Sequence, residues 1–197
     1  MKNIKHILAT TFVALSLTAA CTASAEGMPP EKMKQLQGIM QQQIGMMKPE
    51  LQKKVKALSP ATKKLLMKIL SQHNRYSDRA TLRQVMHEVQ SDYQSMLTGI
   101  MIDHPEQAAD SAMRLANHRI PVAGLLPYMG LENINDGQLA VLDGFNSAVE
   151  GSAKKLAAAA RAGDTTKAAS YVGDITSGCV ACHAFFRGQP GKSSLIK

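Results

Sequence analysis

The chain has no tryptophan and only four phenylalanines and four tyrosines in 197 residues. Runs in which β-branched or aromatic residues alternate with polar ones are absent, which argues against a sheet. Beyond Ile7 to Leu17 no apolar stretch approaches the roughly 20 residues that a spanning helix needs, and that run is itself too short. Cysteine is scarce, with Cys21, Cys179 and Cys182 the whole supply. The net charge of +8 comes without interleaved stacking aromatics. It therefore suits an acidic protein partner or an anionic membrane surface better than nucleic acid.

What is present begins with a leader pattern. Lys2 and Lys5 precede the apolar run, and Ala23-Ser24-Ala25 forms an A-x-A cleavage site before Glu26. The expected mature chain starts after Ala25 and is exported, to the periplasm if the source is bacterial. A minor alternative makes Cys21 a lipoprotein cysteine after Thr18-Ala19-Ala20, although Thr18 stands where an aliphatic residue is usual. Loss of Lys2 and Lys5, with no acid in residues 1–25, leaves a charge of +6. The mature chain keeps only Cys179 and Cys182, so it has no cysteine to spare for structural disulfides.

Those two cysteines sit in Cys179-Val180-Ala181-Cys182-His183, the C-x-x-C-H spacing of c-type haem attachment. Each thiol can add to a haem vinyl group, and the adjacent imidazole can ligate the iron. On a helix Cys182 and His183 follow Cys179 by three and four residues and share its face. A thioredoxin-like dithiol would want a preceding strand in a βαβ context, and a zinc site would want a second ligand pair at metal spacing. The sequence offers neither.

Nearly everything else reads as helix, rich in Ala, Leu, Met, Lys and Gln. A last helix is expected after the cap Asp164, with Ala168, Val172, Ile175, Cys179, Cys182 and Phe186 inward, closed by Gly188 and Pro190. One before it is expected from about Asn135 to Ala162, carrying Leu139, Leu142, Phe145, Val149 and Leu156 inward, with Gly163 closing it. Another is expected from Ser77 to Ile102, with Leu82, Val85, Met86, Val89, Tyr93, Met96, Leu97 and Ile100 on one side. Asp103-His104-Pro105-Glu106 reads as a capped restart into a helix reaching about Ile120, and Pro121 to Asn133 as a looser connection. The fold class is all-α: an antiparallel four-helix bundle with the haem motif on its last helix.

Haem attachment on the final helix of such a bundle resembles the cytochrome c-prime family, the class II c-type cytochromes. The resemblance runs from about Ser77 to Arg187. It is closest at Ala160-Arg161-Ala162-Gly163-Asp164 and at Cys179-Val180-Ala181-Cys182-His183-Ala184-Phe185-Phe186-Arg187. It implies one covalent haem c on Cys179 and Cys182, with His183 as proximal iron ligand and Arg187 near the haem. It also implies that the distal residue comes from the first bundle helix, and counting back from Ile102-Asp103-His104-Pro105 puts Met86 there. Met96 and Met101 lie lower on that helix. His87 is turned by about 100° from Met86. His73, His104 and His118 stand near helix ends, as capping or surface residues.

The chain departs from the family in its N-terminal helical extension, residues 26–76, which precedes the bundle of residues 77–189 and a tail of residues 190–197. Pro29-Pro30 opens a helix with Met33, Leu36, Met40, Ile44 and Met47 inward, and Lys48-Pro49 breaks it. Leu51, Val55 and Leu58 follow, then Ser59-Pro60 starts a helix with Leu65, Leu66, Ile69 and Leu70. These helices would cover the haem edge, form a dimer interface or bind a partner. Methionines at helical spacing read as core here rather than as a copper site. The family's loop tryptophan is missing.

Two functions share this frame. One is a periplasmic one-electron carrier with His183 and Met86 on the iron and an unidentified redox protein as partner. The alternative is a five-coordinate binder of nitric oxide or carbon monoxide. An enzyme such as a peroxidase would need a distal acid–base pair, for which only His87 and Glu88 lie close in sequence, and the expectation is no enzyme. The resemblance also implies a homodimer through bundle helices.

Overall fold

The computed structural model of the chain describes residues 29–186 and 193–197. The expected leader with Cys21, the expected helix stop at Gly188 and Pro190, and Arg187 lie outside the described residues. Among the described residues the regular structure is helical, apart from two isolated β-bridges. No helix among them is long and apolar enough to cross a membrane.

Three prolines open the first three helices, α1 (Pro30–Met46), α2 (Pro49–Ala57) and α3 (Pro60–Leu70). Proline suits the first turn because its missing N–H would have had no helical partner there. α4 (Leu82–Met101) starts later than the expected Ser77. The Ser77 hydroxyl accepts from the backbone N–H groups of Arg79 and Ala80 and holds a turn instead. Thr81 and Gln84 then form a capping box. Asp103 takes a left-handed conformation, φ 54°, and reverses the chain. His104 Nδ1 accepts from the Gln107 backbone N–H, so the restart into α5 (Pro105–Ala116) is capped as expected. α5 stops short of Ile120 because Asn117 bonds to Asn74 and Ile120 pairs with residues 75 and 77.

The single helix expected from Asn135 to Ala162 is broken. It consists of α6 (Asp136–Leu139), α7 (Leu142–Asn146), a π-helical turn (Ser147–Gly151) and α8 (Ser152–Arg161). Gly137, Gly144 and Gly151 weaken this stretch, each by about 0.5–1 kcal/mol relative to alanine in a helix. Asp136 is also committed elsewhere, accepting from the Thr62 hydroxyl and the Ser59 backbone N–H. Those bonds hold its carboxyl below the usual carboxylate range. Gly163, at φ 76°, ends α8, and Asp164 caps α9 (Thr165–Phe186) through the Lys167 N–H.

α4, α5, α8 and α9 pack in antiparallel succession around the first apolar cluster. It includes Met96, Ala108, Ala112, Leu115, Leu156, Ala157 and Ile175. Asp92–Arg114 at 2.7 Å and Ser95–Ser111 at 2.9 Å set α4 against α5. Arg161–Asp110 at 3.2 Å joins α8 to α5. α9 returns to α4 through Asp103–Thr165 at 3.2 Å and Tyr93–Thr176 at 2.7 Å.

The N-terminal helices join the same body. Met47, Leu51, Val55 and Leu58 share a second apolar cluster with Leu126, Met129, Leu139, Leu142 and Phe186. The chain end packs there too, since Lys48 donates to Leu195 O and Lys197 donates to Met46 O.

Gly99 shows how tightly α4 meets α5, for a Cβ there would lie 2.5 Å from Ala108 N. Gly38 in α1 has nothing within 4 Å of such an atom. Gly99→Ala is expected to destabilise by about 1–3 kcal/mol through overpacking. Gly38→Ala should stabilise by about 0.5–1 kcal/mol. Denaturant unfolding of the two variants checks the contrast, and equal effects would contradict this packing.

Candidate functional site

Cys179, Cys182 and His183 occupy the last two turns of α9, on one face. Cys179 is half-buried against the first apolar cluster and Cys182 against the second, while His183 is exposed. The pair thus straddles the seam between the two clusters. Gly178 brings the π-turn close at this level, since a Cβ there would lie 2.7 Å from Val149 Cγ2. Phe145, Phe185 and Phe186 form an aromatic group beside the motif, with centroids 4.7–6.2 Å apart. Val180 and Phe185 leave apolar surface open, 63% and 42% exposed.

Both thiols are free. Burial pushes each thiol upward, and Cys179 adds to the effect at Cys182. An activated redox dithiol has the opposite shift, with an attacking thiol lowered toward or below neutrality. The two cysteines are therefore poor resting nucleophiles, though well placed to hold one group between them.

The register of α9 on α4 determines what faces this end. The Tyr93–Thr176 bond between the helices, and the Asp103–Thr165 bond from the turn after α4 to the start of α9, both fit an antiparallel alignment. Seven residues beyond Thr176 stands His183, and seven residues before Tyr93 stands Met86. The two positions thus share a level, about two turns along from the Tyr93–Thr176 bond. Met86 is half-buried and belongs to none of the three apolar clusters among the described residues. Met96 is fully buried in the first cluster and Met47 and Met129 in the second, where they fill space as core methionines do. Met101 is exposed.

His87 is exposed and lines a shallow polar groove of about 430 Å³ with Arg75, Glu88, Asp92 and Arg114, sharing no residue with the cysteine motif. Glu88 is held in that region by Arg75 at 3.3 Å and Arg119 at 3.1 Å. Of the three histidines expected at helix ends, His104 caps α5 and His73 caps the last turn of α3 through Nδ1 on Ile69 O. His118 stands just past α5 with its side chain 22% exposed, and both His73 and His118 also turn inward. Their rings meet at 4.7 Å over the buried Glu150. The available signal was an acid on the inward stripe of the Asn135–Ala162 stretch, between Val149 and Leu156.

No protein-family model, curated protein or solved structure matches the chain.

In protein whose cysteines carry no adduct, alkylation of Cys179 and Cys182 by iodoacetamide is expected to be slow at pH 7. It should accelerate only above the ordinary thiol range of about 8.5, because the thiolate is the reacting form. A rate–pH midpoint below 7 at either cysteine would restore the dithiol reading.

Proposed function

We propose that the protein is a mono-haem c-type cytochrome of the cytochrome c-prime type, acting as a one-electron carrier in the periplasm. Cys179 and Cys182 would hold haem c by thioethers, His183 would be the proximal ligand and Met86 the distal one. α4, α5, α8 and α9 would be its four-helix bundle. The observation that carries this reading is the C-x-x-C-H motif at the end of α9, with His183 seven residues after Thr176 and Met86 seven residues before its hydrogen-bond partner Tyr93.

The donor set suits such a group. It offers two unpaired thiols on one helix face, an exposed imidazole beside them, and a methionine that no core cluster claims. The exposed Val180 and Phe185 add apolar surface next to the motif. When bound, haem supplies a one-electron iron couple. The chain's residues set its character. Cys179 and Cys182 would hold the haem to α9, and the neutral imidazole of His183 with the neutral, soft sulfur of Met86 would favour the ferrous state and raise the potential. Arg187, four residues after His183 in sequence, would supply a guanidinium to the proximal side. The net positive charge suits an acidic redox partner. Gas binding would need an open distal position, which Met86 would close.

The haem-loaded protein is expected to be low-spin and to bind carbon monoxide weakly, while Met86→Ala turns high-spin and binds it readily. An unchanged spin state on that substitution removes Met86 from the iron and favours the gas-binding reading. Cys179→Ser/Cys182→Ser should release the haem to acidified organic solvent. Retention of covalent haem there would remove the attachment assignment.

A further inference from the structure

His73, His118 and Glu150 come from three separate segments: the α3–α4 connection, the residues after α5, and the π-turn. The side chains of His73 and Glu150 are 1% and 8% exposed, and that of His118 is 22% exposed. Each imidazole donates its Nδ1–H to a main-chain carbonyl, His73 to Ile69 O at 3.1 Å and His118 to Arg119 O at 2.9 Å. A carbonyl can only accept, so in each neutral ring Nε2 carries the bare lone pair. Both Nε2 atoms face the same oxygen, Glu150 Oε1, at 3.4 and 3.3 Å.

Two lone pairs and a carboxylate therefore converge in a buried space, which is unfavourable unless a cation lies among them. One proton on one imidazole answers part of this. It still leaves buried oxygens unpartnered, for Glu150 Oε2 has no hydrogen-bond partner, and neither has His73 Nε2. A metal ion answers all three donors at once. The three donor atoms lie within 4.8 Å of one another. Donors about 2.05 Å from a tetrahedral centre stand about 3.3 Å apart, which the two measured Nε2–Oε1 separations match. The Nδ1–H bonds to carbonyls are the outer-shell contacts that orient ligating histidines. The partial exposure of His118 leaves an entry path and room for a fourth ligand such as water.

We propose that His73, His118 and Glu150 form a divalent transition-metal site of the zinc type, separate from the cysteine motif. It fastens the α3–α4 connection to the residues after α5 and to the π-turn. The proposal is independent of the haem reading and uses none of its residues.

Purified full-length mature protein, stripped with chelator, is titrated with zinc chloride. The titration is repeated in Cys179→Ser/Cys182→Ser, so that thiol binding is recognised. One zinc per chain is expected in both, with a rise in Tm of about 5–10 °C at a hundredfold excess over Kd. Glu150→Gln, His118→Gln and His73→Gln should each weaken binding by more than the roughly 10–100-fold that loss of an outer-shell contact costs. A cobalt derivative of the unmutated protein supplies a check that needs no variant: a four- or five-coordinate visible spectrum without thiolate charge transfer. Absence of saturable binding overturns the site. So does binding that survives Glu150→Gln, disappears with the two cysteines, or shows thiolate charge transfer in the cobalt form.

Discussion

The hydrogen bond between Tyr93 and Thr176 ties α9 to α4, while the end of α9 is held by the π-turn and α7, with Gly178 against Val149 and Phe186 against Phe145. Helix packing by apolar contact alone would tolerate neighbouring registers, because alanine faces such as those of α5 and α8 offer nearly equivalent grooves. Polar pairs remove the ambiguity. Asp103–Thr165 repeats the α4–α9 alignment ten residues away, and Ser95–Ser111 with Asp92–Arg114 does the same for α4 and α5. Several of these bonds are exposed and worth little individually. Their value lies in selecting one alignment among several of similar apolar content.

The second apolar cluster supplies what that alignment cannot. The seam at Cys179 and Cys182 would be open on one side if α4, α5, α8 and α9 were the whole protein. Leu51, Val55 and Leu58 from the N-terminal helices, together with Leu139, Leu142 and Phe186, extend the apolar ground beneath Cys182. The extension is thus part of the same body as the motif. Burial by the second cluster thus raises the Cys182 thiol, as burial by the first raises that of Cys179, while His183 stays exposed.

Local signals carried the sequence reading furthest. Proline at a first turn, Asp164 after Gly163 and His104 before Pro105 act within one turn of themselves, and the structure uses each of them. The reading was less able where a residue's partner is remote in sequence. The helix expected from Asn135 to Ala162 breaks partly because Asp136 is bound to Ser59 and Thr62, more than seventy residues earlier. Ser77, whose backbone N–H donates to Ile120 O, and Asn117, which pairs with Asn74, shorten two other helices through partners outside them. His73 and His118 looked like helix-end residues because their common partner, Glu150, lies in another segment. The motif itself was legible because its three residues are within five of each other. The residue expected opposite His183 is counted from a family pattern, with no local signal of its own.

The π-turn gives the break in that helix a physical meaning. Adjacent residues of a regular helix point about 100° apart, so a single helix face can rarely serve two neighbours with consecutive residues. Here Val149 presses on Gly178 beside the cysteine motif, and Glu150 lies buried against His73 and His118. Burying a carboxylate is costly unless its charge is answered locally. Burial works against Glu150's charge, yet the two imidazoles hold its carboxyl below the usual range, and Glu150 in turn raises His118 despite that residue's burial. An apolar residue at position 150 would pack at lower cost, but it would leave two inward imidazoles with nothing to face. The widened turn, the buried acid and the two histidines therefore make sense only together, as one arrangement in which each accounts for the others.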